Sequence, residues 1–238
     1  MTIIALTALM QGCTAQTPRR TAFGFGDFMS SALKELPYDS LPQVIYRIDD
    51  HRFVTLERNR DCYHGESYYN DTRVGIRKFL GSRMFENFQG RIINADPTGE
   101  NIVLPLAYPN GLIGANGERG CVVPFWYSID GGKNFAAKVY MDHGLDAFEK
   151  SKGYSFFVTK DRLHVANRSA DGDAYVVEYP MMPGIDLSGP YPPGVERGSF
   201  AASKRPVVFS KLLTPSGQDR ITCDASIKPM NPDAPLVP

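Results

Sequence analysis

Short apolar segments separated by polar turns dominate the chain from Gln43 onward. The apolar segments 44–48 and 53–56 flank the polar residues 49–52, an arrangement that predicts a β-hairpin. A second pair, 91–95 and 101–104, flanks the turn-rich residues 96–100 and predicts another hairpin. Further strand candidates are 122–127, 136–141, 154–159, 163–166, 175–179, 207–213 and 220–223. The pattern predicts a mainly β fold, an antiparallel β-rich single domain with few short helices.

Two segments have helical spacing. Residues 28–36 carry apolar side chains at helical intervals after Asp27, a candidate N-cap, and Pro37 ends the pattern. One or two helical turns are predicted at 145–150. We expect three parts: a signal peptide with a lipobox at 1–13, a tether with a short helix at 14–40, and a β-rich domain at 41–238.

The first thirteen residues predict the cellular location. An apolar run ends in Leu9-Met-Gln-Gly-Cys13 and resembles a bacterial lipobox, in which the cysteine carries the lipid. The run is too short to cross a bilayer as a helix, which takes about 20 apolar residues. No Lys or Arg precedes Cys13, so either the natural start lies upstream or the segment is a short apolar arm. We expect a periplasmic lipoprotein, sorted to the outer membrane because Thr14 follows the cysteine.

Charge and motifs argue against several classes of function. Lys and Arg together number 26, as do Asp and Glu, so the chain lacks the basic surplus typical of nucleic-acid binders. Gly-x-Ser-x-Gly, His-Glu-x-x-His, Cys-x-x-Cys and a Walker A loop are all missing from the sequence. We therefore expect no enzyme, no cofactor and no metal site.

Three cysteines remain if Cys13 is lipidated. In an oxidising compartment two of Cys62, Cys121 and Cys223 are expected to pair, and the sequence alone does not decide which. A Cys62–Cys223 bond is favoured weakly, because it would tie the C-terminal tail to the body. Cys121 lies in an apolar segment and is predicted to be a buried thiol. The alternative is that all three are free.

Residues 128–135 match the Asp-box pattern Ser-x-Asp-x-Gly-x-x-aromatic. Ser128, Asp130, Gly132 and Phe135 occupy its fixed positions, and their predicted role is structural, as parts of a tight turn between two strands. Such turns join the outer strands of blades in sialidase-like β-propellers. A propeller-like arrangement with a glycan-binding or hydrolytic site is therefore an alternative to a generic β-rich domain.

The densest polar cluster spans residues 61–71. One interpretation makes Cys62, His64 and Glu66 a catalytic or metal-binding set, because alternation along a strand would place them on one face. The other is a loop or edge strand whose aromatic side chains form a binding rim, with Cys62 in a disulfide. The second is favoured, because no complete set of nucleophile, base and orienting group is visible.

Several segments resemble the immunity-protein family for type VI secretion lipase effectors of the third class. They are residues 46–53, 60–66, 68–73, 93–99, 126–132, 183–187, 191–195 and 214–224. The resemblance covers most of the chain from Gln43 onward. It implies a non-enzymatic inhibitor that binds a toxic phospholipase effector in the periplasm and protects the producer and its sisters.

The family resemblance does not supply contact residues. We predict that Tyr63, Tyr68, Tyr69 and Arg73 form the partner-binding rim, because aromatic and arginine side chains are dense there and such residues dominate binding hot spots. Ordinary cross-strand packing of the tyrosines is the alternative. An effector-binding chaperone or adaptor, or a glycan-binding envelope lipoprotein, remains open as a second class of function.

Overall fold

The computed structural model describes residues 38–110, 120–168, 172–205, 209 and 211–231, and the lipobox with Cys13 and the helix predicted at 28–36 lie outside them. Within this part of the chain no helix is long and apolar enough to cross a membrane. The strands are β1 (Gln43–Arg47), β2 (Arg52–Asp61), β3 (His64–Asp71), β4 (Ile76–Ser82), β5 (Arg91–Asn94), β6 (Ile102–Pro105), β7 (Cys121–Ser128), β8 (Ala136–Gly144), β9 (Tyr154–Val158), β10 (Arg162–Arg168), β11 (Ala174–Pro180) and β12 (Gly198–Ala201). Helix α1 (Ala147–Ser151) follows β8, where helical turns are predicted, and two 3-10 turns lie at Phe85–Asn87 and Ala202–Lys204.

The strands form three sheets. The first sheet is the antiparallel meander β1-β2-β3-β4; the second has the order β12-β11-β10-β9-β5, and the third is β6-β7-β8. All pairs are antiparallel except β5 with β9, which is parallel. The prediction of a mainly β, antiparallel domain is confirmed. The sheets differ in strand number and pairing, unlike the repeated blades of a propeller.

The hairpin predicted at 91–104 is wrong. β5 pairs with β9 and β6 pairs with β7, so the two strands belong to different sheets. One side chain replaces the expected ladder: Asn94 Oδ1 accepts from the Val103 N–H at 2.8 Å, and Asn94 Nδ2 donates to the Val103 carbonyl at 3.1 Å. Both backbone groups of Val103 are satisfied in this way although β5 and β6 do not pair with each other.

Aromatic rings connect the sheets in the core. Phe125 of β7 lies 5.2 Å from Phe156 of β9 and 6.3 Å from Tyr179 of β11, measured between ring centroids. Tyr46 of β1 and the Phe85 ring are 6.2 Å apart. These rings are almost fully buried. Such tilted and edge-on pairs stabilise beyond their buried area, so they fix the sheets relative to one another.

The C-terminal strap, residues 211–231, seals two strand edges. The Thr222 N–H donates to the Ile45 carbonyl of β1 at 2.8 Å, and the Ile92 N–H of β5 donates to the Asp219 carbonyl at 2.9 Å. The Gln218 amide also donates to the Ile45 carbonyl at 2.9 Å. Residues 220–223, predicted as a strand, therefore run along β1 without forming a regular strand. The segment 207–213 lies partly outside the described residues.

A disulfide joins Cys223 of the strap to Cys62 in the turn between β2 and β3. This is the pair that the sequence favours. Cys121 is buried at the start of β7 and is also disulfide-bonded, so the prediction of a free buried thiol at this position is wrong. Because the strap has little core of its own, its attachment depends on this bond and on its hydrogen bonds to β1 and β5.

Candidate partner-binding surface

β4 is the edge strand of the first sheet, opposite β1. Among the described residues no strand pairs with its outer side. An edge strand presents backbone N–H and C=O groups that can pair with another chain. Phe79 of β4 is 56% exposed, whereas Leu80 is buried and its carbonyl accepts from the Trp126 indole N–H at 3.0 Å. The edge is therefore partly capped at Leu80 and otherwise open.

An aromatic and arginine cluster covers the solvent face beside this edge. Tyr68 of β3 lies opposite Phe79 of β4, and their ring centroids are 5.3 Å apart. The Arg77 guanidinium stacks on the Tyr68 ring at 3.7 Å from its centroid. Cation–π contacts of this kind hold an arginine in place at an exposed site. The face thus presents a flat, ordered surface in which Tyr68 lies beneath Arg77 and Phe79.

Both carboxylates of this face are paired with an arginine. Glu66 accepts from the Tyr68 hydroxyl at 2.6 Å and from the Arg58 guanidinium. Glu57 accepts from Arg77 at 2.7 Å. Burial alone would raise the pKa of Glu66, but the hydrogen bonds from Arg58 and Tyr68 outweigh it and lower the pKa. Glu66 is therefore ionised at neutral pH, and it acts as an anchor for Arg58 rather than as an acid.

The backbone of Arg58 is in the left-handed region, with φ of 45°. Its position coincides with the register shift between β2 and β3 that lies between Glu57 and Asp61. A residue with a side chain in this conformation costs roughly 1–3 kcal/mol and persists where the surroundings impose it. Here the imposed conformation directs the guanidinium of Arg58 onto Glu66 and Tyr68.

A groove separates β4 from the Asp-box turn. Its volume is about 280 Å³, and it is lined by Lys78, Phe79, Leu80, Trp126, Lys133, Asn134 and Phe135. Among its apolar residues Leu80 is buried, Trp126 and Phe135 are half-buried and Phe79 is exposed, so the first three lie at its base. Lys78 and Lys133 are exposed, and no ion pair joins either ammonium group to a carboxylate of the described residues. The groove is therefore apolar at its base and positively charged at its rim.

The Asp-box turn has the geometry that its pattern predicts. The Asp130 carboxylate accepts from the Asn134 N–H at 2.9 Å and from the Ser128 hydroxyl at 2.8 Å. The Gly132 N–H donates to the Ser128 oxygen at 2.9 Å. Burial would raise the pKa of Asp130, yet the Asn134 hydrogen bonds lower it overall. The turn is a rigid wall of the groove, and its carboxylate is already engaged.

Tyr69 supports this turn from below. It is fully buried, its ring lies 5.3 Å from the Phe135 ring, and its hydroxyl donates to the Gly131 carbonyl at 3.4 Å. Gly132 has φ of 84°, and a Cβ there would lie 2.3 Å from the Tyr69 ring. Only glycine fits at this position, so the Asp box and β3 are held at a fixed separation.

The four residues predicted as a rim do not form one. Tyr69 is fully buried, so its prediction as a partner-binding residue is wrong. Tyr68 is 8% exposed and lies beneath Arg77 and Phe79, so a direct contact is contradicted and its role is to position these neighbours. Tyr63 and Arg73 are both exposed but lie at opposite ends of β3, roughly 25 Å apart at the usual rise of a strand.

The same segment does not assemble a catalytic set. Cys62 is in the disulfide, the His64 ring pairs with Asp61 at 2.7 Å, and Glu66 faces Arg58. The interpretation of Cys62, His64 and Glu66 as one reactive group is therefore wrong. Cys62 lies in the turn before β3 rather than on the strand, so the expected alternation does not include it.

A small acidic cluster lies in the turn between β1 and β2. Ligand atoms of Asp49, Asp50 and His51 lie within 4.8 Å of one another. Arg52 already pairs with the Asp49 carboxylate at 2.6 Å, and the Asp49 side chain accepts from the His51 N–H at 3.1 Å. These bonds close the turn, which gives the cluster a structural role.

Sequence reasoning missed the residues of β4 that carry the surface. Arg77, Lys78 and Phe79 belong to the segment 72–88, whose pattern is ambiguous between helix and strand because glycines interrupt it. The signal was an aromatic residue beside two cations on a strand whose outer side pairs with no other described strand. That signal becomes visible once β4 is known to be an edge.

Comparison with known proteins shows the family to which the chain is similar. A family model described as T6SS Tli3 immunity protein matches residues 38–167, which is more than half of the chain and includes the first sheet and the Asp box. Among curated proteins, none matches this chain significantly. The family resemblance stated from the sequence is thereby confirmed.

Proposed function

We propose a function for this chain from one premise: it belongs to the T6SS Tli3 immunity protein family. It is therefore a type VI secretion immunity protein, it is not an enzyme, and it binds a cognate effector. Our proposal adds the class of effector and the place of action. The effector is a phospholipase, and neutralisation takes place in the periplasm of the producing cell and its sisters.

The observation that carries the binding role is the surface along β4. Arginine and aromatic side chains dominate binding hot spots, and here the buried Tyr68 ring holds Arg77 in a stacked, preorganised position beside the exposed Phe79. The carboxylates of the face are already paired with Arg58 and Arg77, so the surface can be covered by a protein without leaving an unpaired acid.

We propose that inhibition works by occlusion. A phospholipase must admit a lipid tail and headgroup to its active site, so a rigid protein bound over that entrance stops turnover without any chemistry. The first sheet is suited to this role because the turns between its strands are only two to four residues long and its face is fixed by cross-strand contacts. Rigidity keeps the entropic cost of binding low.

The proposed location rests on the Cys62–Cys223 disulfide, because such bonds form and persist in oxidising compartments such as the periplasm. A lipid on Cys13, which the lipobox-like segment predicts, would hold the inhibitor beside the membrane that the effector attacks, and it requires that Cys13 is not the partner of the disulfide-bonded Cys121. The measurement is the intact mass of the mature protein before and after reduction. A diacylglycerol mass on Cys13 supports the anchor. A disulfide at Cys13 excludes it, since a thioether sulfur cannot form one.

The function is tested with a type VI lipase encoded beside this gene, and identifying such a neighbouring gene is the first step. Purified mature protein is titrated into that lipase while phospholipid hydrolysis and binding are measured together. We expect tight binding with loss of hydrolysis, and survival of cells that carry the lipase in the periplasm only when this protein is present. Binding with full hydrolysis would replace the proposal by a chaperone or adaptor role. Absence of binding would refute it for this effector.

A further inference from the structure

The two edge strands of the first sheet differ in whether another part of the chain covers them. The strap bonds to the Ile45 carbonyl of β1 and to the Ile48 carbonyl just after it, through the N–H groups of Thr222 and Ser216. β4 has no such cover among the described residues, apart from the Trp126 indole on the Leu80 carbonyl. Natural proteins cover or charge their sheet edges to prevent pairing. β4 carries charge, and that charge is of one sign.

The groove beside β4 carries a surplus of positive charge. Lys78 and Lys133 stand on opposite walls, on β4 and on the Asp-box turn. The Asp130 carboxylate is bonded to Ser128 and Asn134 and feels the charge of Lys133 without forming an ion pair with it, and Glu57 is paired with Arg77. Two ammonium groups thus face one carboxylate that is already hydrogen-bonded, so carboxylates supplied by a partner would complement the surplus positive charge.

The shape of the groove suits an extended chain. It runs between a strand edge and a turn, its floor contains Trp126 and Phe135, and Phe79 stands exposed at its rim. An extended peptide can add to an open edge by backbone hydrogen bonds, while its alternate side chains enter pockets beside the edge. The groove thus offers backbone pairing, an apolar floor and two cations in one place.

We propose that this groove receives an extended acidic segment of the effector, which lies along β4 with carboxylates at Lys78 and Lys133. The inference rests on the proposed function, since it names the surface through which that function is exerted. The apolar floor contributes affinity, and the two lysines select acidic residues and speed association. The arginine cluster on the adjacent face extends the contact.

The test compares two double charge reversals in the full mature chain. Lys78→Glu with Lys133→Glu places acids on both walls of the groove; Lys150→Glu with Lys160→Glu makes the same charge change at exposed lysines outside it. Affinity for the neighbouring lipase is measured by calorimetry at low and high salt. We expect at least about a tenfold loss for the groove variant and less than about a twofold loss for the control.

Amide exchange supplies a second measurement on the unmodified protein. Binding of the lipase should slow exchange of the β4 amides between Ile76 and Ser82, because their outward N–H groups become paired. Phe79→Ala should weaken binding by about tenfold, as expected of an aromatic hot spot.

The failures of the two proposals are distinguishable. If the unmodified protein inhibits the lipase, while the groove variant binds as tightly as the control and β4 exchange does not change, the groove assignment is overturned and the immunity function stands. If the unmodified protein does not bind the lipase, both fall. If the groove variant loses affinity without losing its dependence on salt, the acidic character of the segment is refuted.

Discussion

The first sheet has one sealed edge and one open edge. At β1 the strap satisfies backbone carbonyls, and the Cys62–Cys223 bond fastens it. At β4 an exposed phenylalanine, a stacked arginine and a lysine face solvent. The sealed edge is held by interactions whose only evident result is stability. At the open edge no strand of the described residues pairs with the β4 backbone, and the ordered cations there add little to stability and are suited to binding.

The difference shows that coverage of a sheet edge can be selective. About twenty residues of the strap cover the edge at β1, and no comparable described segment covers β4. Instead the Asp box holds a wall a short distance away and leaves a groove. In physical terms, the sealed edge should respond to mutation mainly through unfolding, and the open edge mainly through binding.

The largest expected effect is on the sealed edge. Replacing both Cys62 and Cys223 by Ser removes a bond between residues 161 positions apart. Loss of a native disulfide typically lowers the free energy of unfolding by about 2–5 kcal/mol. We expect a loss in this range in urea, with faster amide exchange at Ser216 and Thr222 and no change at β4. Unchanged exchange at these two amides would mean that hydrogen bonds alone hold the strap.

A pH-dependent effect of intermediate size is expected where β3 meets the end of β4. Glu86 is fully buried there; burial raises its pKa to about 7, against hydrogen bonds from Ser67, Met84 and Gly65. Its folded pKa exceeds the unfolded value, so its contribution to stability is fully present below the unfolded pKa and is lost as pH rises through 7. Between pH 5 and pH 8 the loss should be on the order of 3 kcal/mol.

The matched control for this effect is Glu86→Gln, which cannot ionise. The unfolding free energy of the unmodified protein, minus that of the variant, should fall as the pH rises from 5 to 8. Subtracting the variant removes the contributions of Asp49, Asp61 and Glu66, whose lowered pKa values act in the opposite direction. A difference independent of pH would show that Glu86 is ionised throughout.

The smallest effect on stability should come from the open side. Arg58→Gly relieves a positive φ, worth about 1 kcal/mol, and removes an exposed ion pair worth about as much, so the unfolding free energy should stay within about 0.5 kcal/mol. Affinity for the lipase should nevertheless fall by about tenfold, because the cluster loses one of its arginines.

Arg83→Gly is the control for Arg58. Arg83 also has a positive φ, of 55°, but the described contacts do not tie it to Glu66 or Tyr68. We expect this variant to gain stability by about 1 kcal/mol and to bind the lipase unchanged. Equal loss of affinity in the two variants would remove Arg58 from the proposed surface.

Local patterns were enough to predict part of the molecule. The β1–β2 hairpin followed from alternation around a polar turn, and the Asp-box turn followed from residues within eight positions of one another. Both are determined by short-range backbone and side-chain bonds. The pairing of β5 with β9 could not be predicted, because a single amide on Asn94 replaces the ladder that a hairpin would need.

The candidate surface was harder to predict than the fold. Alternation says that Tyr68 and Tyr69 face opposite sides of β3, but it does not say which side is covered. The Asp box supplies that information only in three dimensions, where Phe135 packs on Tyr69 and makes that side the interior. The importance of β4 likewise depends on sheet order, which is a long-range property.

The pairing of Cys62 with Cys223 passes over Cys121. Cys121 is synthesised well before Cys223. The first cysteine after Cys62 in the chain is therefore not its partner in the folded protein. Oxidation in order of appearance would therefore trap a scrambled chain, and correction requires thiolate attack and exchange. We therefore expect oxidative refolding to be faster when a disulfide isomerase is present. Until residues 211–231 are synthesised, β1 lacks the hydrogen bonds that cover it, so both edges of the first sheet can pair with another chain.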